Sequence, residues 1–225
     1  MKKVLIWVAA ATIFGHFAFA EKVMEVGVKG GLLLNAGTKF DMFEDDGYVP
    51  DFKEKMTLGG DVGIFGHFGL VDLGPGTLSL QPEVFFSFAN GLRLESDDFK
   101  MTVKCNSLDI ALLVGYDIPV GKISIRPFLG PKVGIPIGKA KTELNADYPT
   151  DDEDFKYDMK GVSIGMDFGC GIAIPLGKFV LGADVRYGID FNKVKAQYEE
   201  DMGGDEVGKI RRGALGINIT AGYRF

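Results

Sequence analysis

Outside its first twenty residues the chain has a single histidine, His67; the other, His16, lies within that leading stretch. A nucleophilic hydrolase needs such a base beside a Ser or Cys, with a carboxylate to orient it. No Gly-x-Ser-x-Gly stretch surrounds any serine of this chain. His67 therefore reads as a satisfied interior polar residue, and the chain as no enzyme. Three acidic clusters are the candidates for cation ligation: Asp41, Glu44, Asp45 and Asp46; Asp151 to Asp154; and Glu199, Glu200, Asp201, Asp205 and Glu206. Such oxygen ligands suit Ca²⁺, but none has the alternating Asp spacing and distal Glu of a calcium loop. They read as solvated loops, so no metal ligand and no cofactor is expected.

A larger set of charges sits at every second position of otherwise apolar runs: Glu25, Lys29, Asp61, Glu83, Asp109, Asp117, Arg126, Lys132, Asp167, Asp184, Arg186, Asp190 and Arg224. Charges of both signs on one face of a wall pair with each other if that face encloses a narrow interior. They line an ion path if it encloses a wide one.

The elements that carry them are strands. In residues 213–225, Leu215, Ile217, Ile219, Ala221 and Tyr223 fall on one side, and Gly216, Asn218, Thr220, Gly222 and Arg224 on the other. That is a period of two over about ten residues, the length of a tilted strand crossing a bilayer. The same alternation predicts seven more strands, at 24–36, 58–70, 77–89, 103–118, 122–137, 162–174 and 179–191. Connections alternate between short Gly-Pro turns and long polar loops, the layout of a membrane barrel with its long loops outside. The prediction is an all-β, eight-stranded antiparallel up-and-down transmembrane β-barrel. Pro82, Pro127, Pro131 and Pro136 fall inside predicted strands, so the fifth strand is expected to be the least regular.

Alternation alone does not say which face is inside. A soluble barrel would put the aliphatic face within and charges outward. Here one face is almost uninterrupted Leu, Ile, Val and Phe, and an outward Lys or Arg at mid-membrane costs about 2–4 kcal/mol. The aliphatic face is therefore assigned to lipid and the charges to the interior.

The ends agree with an envelope address. Lys2 and Lys3 precede an apolar run too short to span a membrane, and Ala18-Phe19-Ala20 offers a signal-peptidase site. Residues 1–20 are read as a cleaved signal peptide and 21–225 as the barrel domain. Removing Lys2 and Lys3 leaves 23 basic against 31 acidic residues, a net −8 that argues against a nucleic-acid partner. Cys105 and Cys170 are placed on non-adjacent strands and opposite faces, so no disulfide is expected. Lys209, Arg211, Arg212, Arg93 and Lys100 are candidates to face lipopolysaccharide phosphates, and Tyr48, Tyr148, Phe155 and Tyr157 to sit at the interface or anchor loops.

Several stretches together resemble one family. These are Val26-Gly27-Val28-Lys29-Gly30-Gly31, Leu80-Gln81-Pro82-Glu83-Val84-Phe85-Phe86, Ser107-Leu108-Asp109-Ile110 and Arg126-Pro127-Phe128-Leu129-Gly130-Pro131. Asp167-Phe168-Gly169-Cys170-Gly171-Ile172, Ala183-Asp184-Val185-Arg186-Tyr187 and Gly222-Tyr223-Arg224-Phe225 complete the set. The chain resembles the PorT-like outer-membrane β-barrels, similar in size and architecture to the small OmpX and OmpA barrels; Ala111 departs from the proline frequent there. The resemblance implies an eight-stranded barrel integral to the outer membrane, and implies no common activity. It also implies that Tyr223 and Phe225 are read by the barrel-assembly machinery. The functions left open are a structural or surface-interaction barrel with a lipid, lipopolysaccharide or envelope-protein partner, a narrow pore for ions or small solutes and, last, an outer-membrane enzyme.

Overall fold

The computed structural model describes residues 24–42, 53–96, 99–146, 155–198 and 206–225. They form thirteen strands: β1 (Met24–Leu34), β2 (Lys39–Met42), β3 (Lys53–Lys55), β4 (Leu58–Leu73), β5 (Gly76–Ser96), β6 (Phe99–Val120), β7 (Ile123–Ala146), β8 (Phe155–Lys160), β9 (Ser163–Leu176), β10 (Phe179–Asp190), β11 (Val194–Tyr198), β12 (Glu206–Arg211) and β13 (Gly213–Arg224). Eight of them close a ring in the order β1-β4-β5-β6-β7-β9-β10-β13, every neighbour antiparallel, with β13 returning to β1. Closure leaves no unpaired edge, the condition for crossing lipid with strands.

The remaining five correct the expectation of long polar loops. Much of each connection is itself strand: β3 pairs with β5, β8 with β7, β11 with β8 and β12, and β12 with β2. β5, β6 and β7 run for 21, 22 and 24 residues, so the wall continues well past the ring. The predicted signal peptide, Tyr48, Tyr148 and most of the acidic clusters lie outside the described residues.

The fifth predicted strand is β7, the longest of all, and its pairing with β6 shifts register just past its predicted end, between Lys104 and Asn106, where Gly138 has φ 73°. Its ladder to β6 lapses beside Pro131, between Lys132–Ala111 and Leu129–Val114, then resumes in the same register. A missing donor removes a local bond without shifting the strand. The β4–β5 ladder lapses beside Pro82 in the same way, between Phe65–Glu83 and Phe68–Leu80.

At the opposite end, three tight turns join β4 to β5, β6 to β7 and β9 to β10, closing on Leu73–Gly76, Val120–Ile123 and Leu176–Phe179. They are two residues long, shorter than the sequence suggests. Each opens on a glycine with positive φ, Gly74 (62°), Gly121 (63°) and Gly177 (69°), followed by a residue without it. That is the signature of a type II′ hairpin turn, whose twist suits the flanking strands.

The wall inverts along its length. In the ring the outward residues are apolar and exposed, among them Val28, Leu32, Ile64, Leu112, Leu129, Ile164, Leu181 and Ile219. The inward ones include buried Glu25, Lys29, Glu83, Asp184 and Arg186. Beyond the ring the inward positions become Leu92, Leu94, Met101, Val103, Cys105, Ala140, Ala196 and Ile210, one apolar core. The outward ones there become Arg93, Thr102, Lys104, Lys139, Lys195 and Lys209. On β5 the change of phase occurs at a bulge between Ser87 and Asn90, where Ala89 has φ 53°. Apolar-out then polar-out marks where lipid ends and water begins.

Candidate functional site

The alternation that makes the ring's outer face apolar drives its charges into the bore. Glu25, Lys29, Asp61, Glu83, Asp109, Asp167, Asp184 and Arg186 are all buried there, and Arg126, Lys132 and Arg224 are partly so. Three arginines reach across the ring, each to a carboxylate four strands away. In the tier nearest the tight turns, Arg126 of β7 meets Glu25 of β1, Nη2 to Oε2 3.3 Å. Asp117 Oδ1 lies 3.1 Å from Arg126 Nε as an ion pair lacking hydrogen-bond alignment, and Arg224 Nη2 stands 3.6 Å from Glu25.

The middle tier is the densest. Arg186 of β10 donates to both oxygens of Glu83 of β5, at 2.7 and 3.1 Å, and its Nε donates to Asp184 Oδ1 at 3.0 Å. Lys29 donates to the same Glu83 at 3.1 and 3.2 Å, and Asn218 Nδ2 to Asp184 at 2.9 Å. The guanidinium lies between the rings of Phe85 and Phe128, 6.0 and 5.1 Å from their centroids. Phe85, Ala111, Leu113 and Phe128 fill that side of the bore with apolar volume. Lys132 pairs with Asp167 at 3.0 Å one step further along.

In the upper tier Arg212, between β12 and β13, spans to β6 and meets Asp109 at 3.0 Å. It also donates to Asp190 at 2.8 Å, Ser107 at 2.5 Å and Ser163 at 2.6 Å. Sequence reasoning set Arg212 on the outer surface, and the structure corrects this. The signal was available: counting back from Arg224 in twos reaches 212 on the inward face. Arg93 faces outward, paired with Glu95 at 2.8 Å, and Lys100 stands opposite the same Glu95 in register.

Between the middle and upper tiers a cavity of about 30 Å³ is lined by Asp61, Asn90, Asp109, Lys132 and Arg186, among others. That is space for about two waters. Both carboxylate oxygens of Asp61 and the side-chain Oδ1 of Asn90 are buried without a hydrogen-bond partner. The bore also carries an acidic excess among the described residues: eight carboxylates (Glu25, Asp61, Glu83, Asp109, Asp117, Asp167, Asp184, Asp190) against six cations (Lys29, Arg126, Lys132, Arg186, Arg212, Arg224).

His67 is held by Asp117 at 2.7 Å and Gln81 at 3.2 Å, one partner on each ring nitrogen. Among the described residues no three His, Cys, Asp or Glu side chains stand together as metal ligands. Cys105 is buried within the upper apolar core and Cys170 faces outward on β9; both are free thiols. At the turn end Tyr223 packs edge-on against Phe179 (5.5 Å) and Phe225 (5.2 Å), and the Phe225 amide donates to Met24 O.

A family model described as an outer membrane protein beta-barrel domain matches residues 19–194. The fold is similar to that of the outer membrane protein OprG of Pseudomonas aeruginosa, with TM-score 0.56 and 17% identity, covering 91% of this chain and 97% of that one. It is also similar to a major outer membrane protein of Thermus thermophilus, with TM-score 0.50 and 13% identity, covering 90% and 99%. No curated protein matches the chain. At these identities the likeness speaks for the fold alone.

Proposed function

The chain belongs to the outer membrane protein β-barrel domain family, and from that premise we propose that it is a closed barrel with a structural or surface-interaction role. The observation that carries this is the set of three arginines crossing the bore, Arg126 to Glu25, Arg186 to Glu83 and Arg212 to Asp109. An eight-stranded barrel is only wide enough for its side chains to fill. Here, among the described residues, the filling is cross-linked at three levels, which supports a barrel without a standing aqueous path. What the protein offers its surroundings is its outer wall: an apolar belt for lipid, and above it the strand extensions for a surface or envelope partner. A PorT-like part in envelope assembly is the finer form of this reading. In it, residues 1–20 are removed after Ala20, with Ala18 and Ala20 as the recognised small residues, and Tyr223 and Phe225 present the barrel for assembly. His67 has the Asp117 carboxylate and the Gln81 amide on its two ring nitrogens, which supports its role as an interior polar residue.

The test is single-channel conductance of the refolded mature protein in a planar bilayer, with folding verified by a heat-dependent gel shift. Folded protein is expected to be silent. Steady ion-selective steps, abolished by substitution at Asp184 or Arg186, would make the narrow pore the correct function instead.

A further inference from the structure

We propose that the bore holds one monovalent cation of sodium size, seated against Asp61 of β4 and Asn90 of β5. The site lies inside the ring, so it does not depend on what the outer wall meets. Seven of the eight carboxylates in the bore have a lysine or arginine nitrogen at 2.7 to 3.3 Å. Among the described residues Asp61 is the exception. It is 3% exposed and both its oxygens lack a hydrogen bond, while Lys29 donates to Glu83 and Arg186 to Glu83 and Asp184. A buried carboxylate left alone in this way is costly.

The groups beside it offer oxygens and no protons. Ser87 stands opposite Asp61 in register, but its hydroxyl donates to Asp109 Oδ2 at 2.8 Å, which leaves only its lone pairs. Asn90, past the bulge on the same strand, keeps a buried Oδ1 without a hydrogen bond. Asp61, Ser87 and Asn90 line the cavity of about 30 Å³ together. On the other side Gly31 separates Asp61 from Asn218. Asn218 Nδ2 donates to Asp184, which fixes the amide and leaves its Oδ1 unpartnered over Gly31, where a Cβ would collide with it. Four buried oxygens without a hydrogen bond thus flank one unpaired charge. Water would supply protons but no charge; a hard cation with oxygen ligands supplies the charge. Lys132, Arg186 and Arg212 border the same cavity with their charges already matched, so the charge left over is single. That selects a monovalent ion: calcium sites gather further carboxylates, and magnesium keeps several waters, more than space for about two admits.

The mature protein is refolded in non-ionic detergent with sodium, potassium or choline chloride at equal ionic strength, and its urea midpoint is measured. Choline is too large for the cavity, so in choline Asp61 stays uncompensated and Asp61→Asn is expected to have the higher midpoint. Saturating sodium is expected to raise the wild-type midpoint by about 1 M, potassium to raise it less, and neither to move Asp61→Asn. Sodium thus narrows the gap between the two proteins. Asn90→Ala keeps the carboxylate and removes one ligand, and is expected to need about tenfold more sodium for the same rise. Equal wild-type midpoints in sodium and choline would overturn the proposal and leave Asp61 protonated or hydrated in the fold. An equal sodium rise in Asp61→Asn would overturn it too, by placing the effect of salt elsewhere. A larger rise with calcium that also depends on Asp61 would overturn the choice of a monovalent ion.

Discussion

Arg186 and Glu83 meet across the full width of the bore, Nη1 to Oε2 at 2.7 Å, from strands on opposite sides of the ring. Both are buried, and Lys29 and Asp184 complete the knot. Removing one partner leaves the other charged in a low-dielectric interior. Glu83→Gln is therefore expected to lower stability in urea titrations of the folded barrel by about 3–5 kcal/mol. An Arg186→Met/Glu83→Leu double variant, which removes both charges, is expected to recover most of that loss. A double variant as unstable as the sum of the two singles would show that the pair is not coupled.

Asp61 shares the bore but not the knot. It is buried with both oxygens unpartnered, in an interior already carrying more carboxylates than cations. Asp61→Asn is expected to raise the temperature of the gel-shift transition, because it removes an uncompensated buried charge. A lowered transition would mean that Asp61 neutralises Lys29 and Arg186 in the folded state.

The two cysteines should report the inversion of the wall. Cys105 stands between outward Lys104 and Asn106, above the apolar belt, and its thiol donates to Asn90 O at 2.8 Å. Burial pushes that thiol up to about 11. Only about one molecule in a thousand then holds a thiolate at pH 8, and reactivity appears only as the pH climbs toward the raised value. In detergent at pH 8 a maleimide is expected to modify Cys170 alone, and Cys170→Ser to stay unmodified until the barrel is unfolded. Rapid labelling of folded Cys170→Ser protein would place Cys105 outside the core.

At Gly177 the demand is on the backbone alone: φ is 69°, and a Cβ there would meet nothing within 4 Å. Gly177→Ala is expected to cost about 1–2 kcal/mol in urea titrations, because the first central position of a type II′ turn is strained for an L side chain. An unchanged midpoint would show that the turn accommodates a Cβ there without strain.

The strands of the ring were legible in the residues alone, and so was the face taken by most of their side chains, with Arg212 an exception. A two-residue period leaves only two faces, and uncharged aliphatics on one of them select lipid. Pairing with the nearest strand along the chain was legible too, because tight turns such as Gly121-Lys122 leave no other partner. What the inward charges touch was not legible there. Arg126 and Glu25 are separated by 101 residues, Arg186 and Glu83 by 103, and Arg212 and Asp109 by 103. Alternation says that each points inward; closure of the ring says which carboxylate stands opposite. The inversion above the membrane was hidden for a related reason. A bulge at Ala89 changes the phase of β5, and the acidic, loop-like composition of the connections masks strands that are held in place by pairing to β5 and β7.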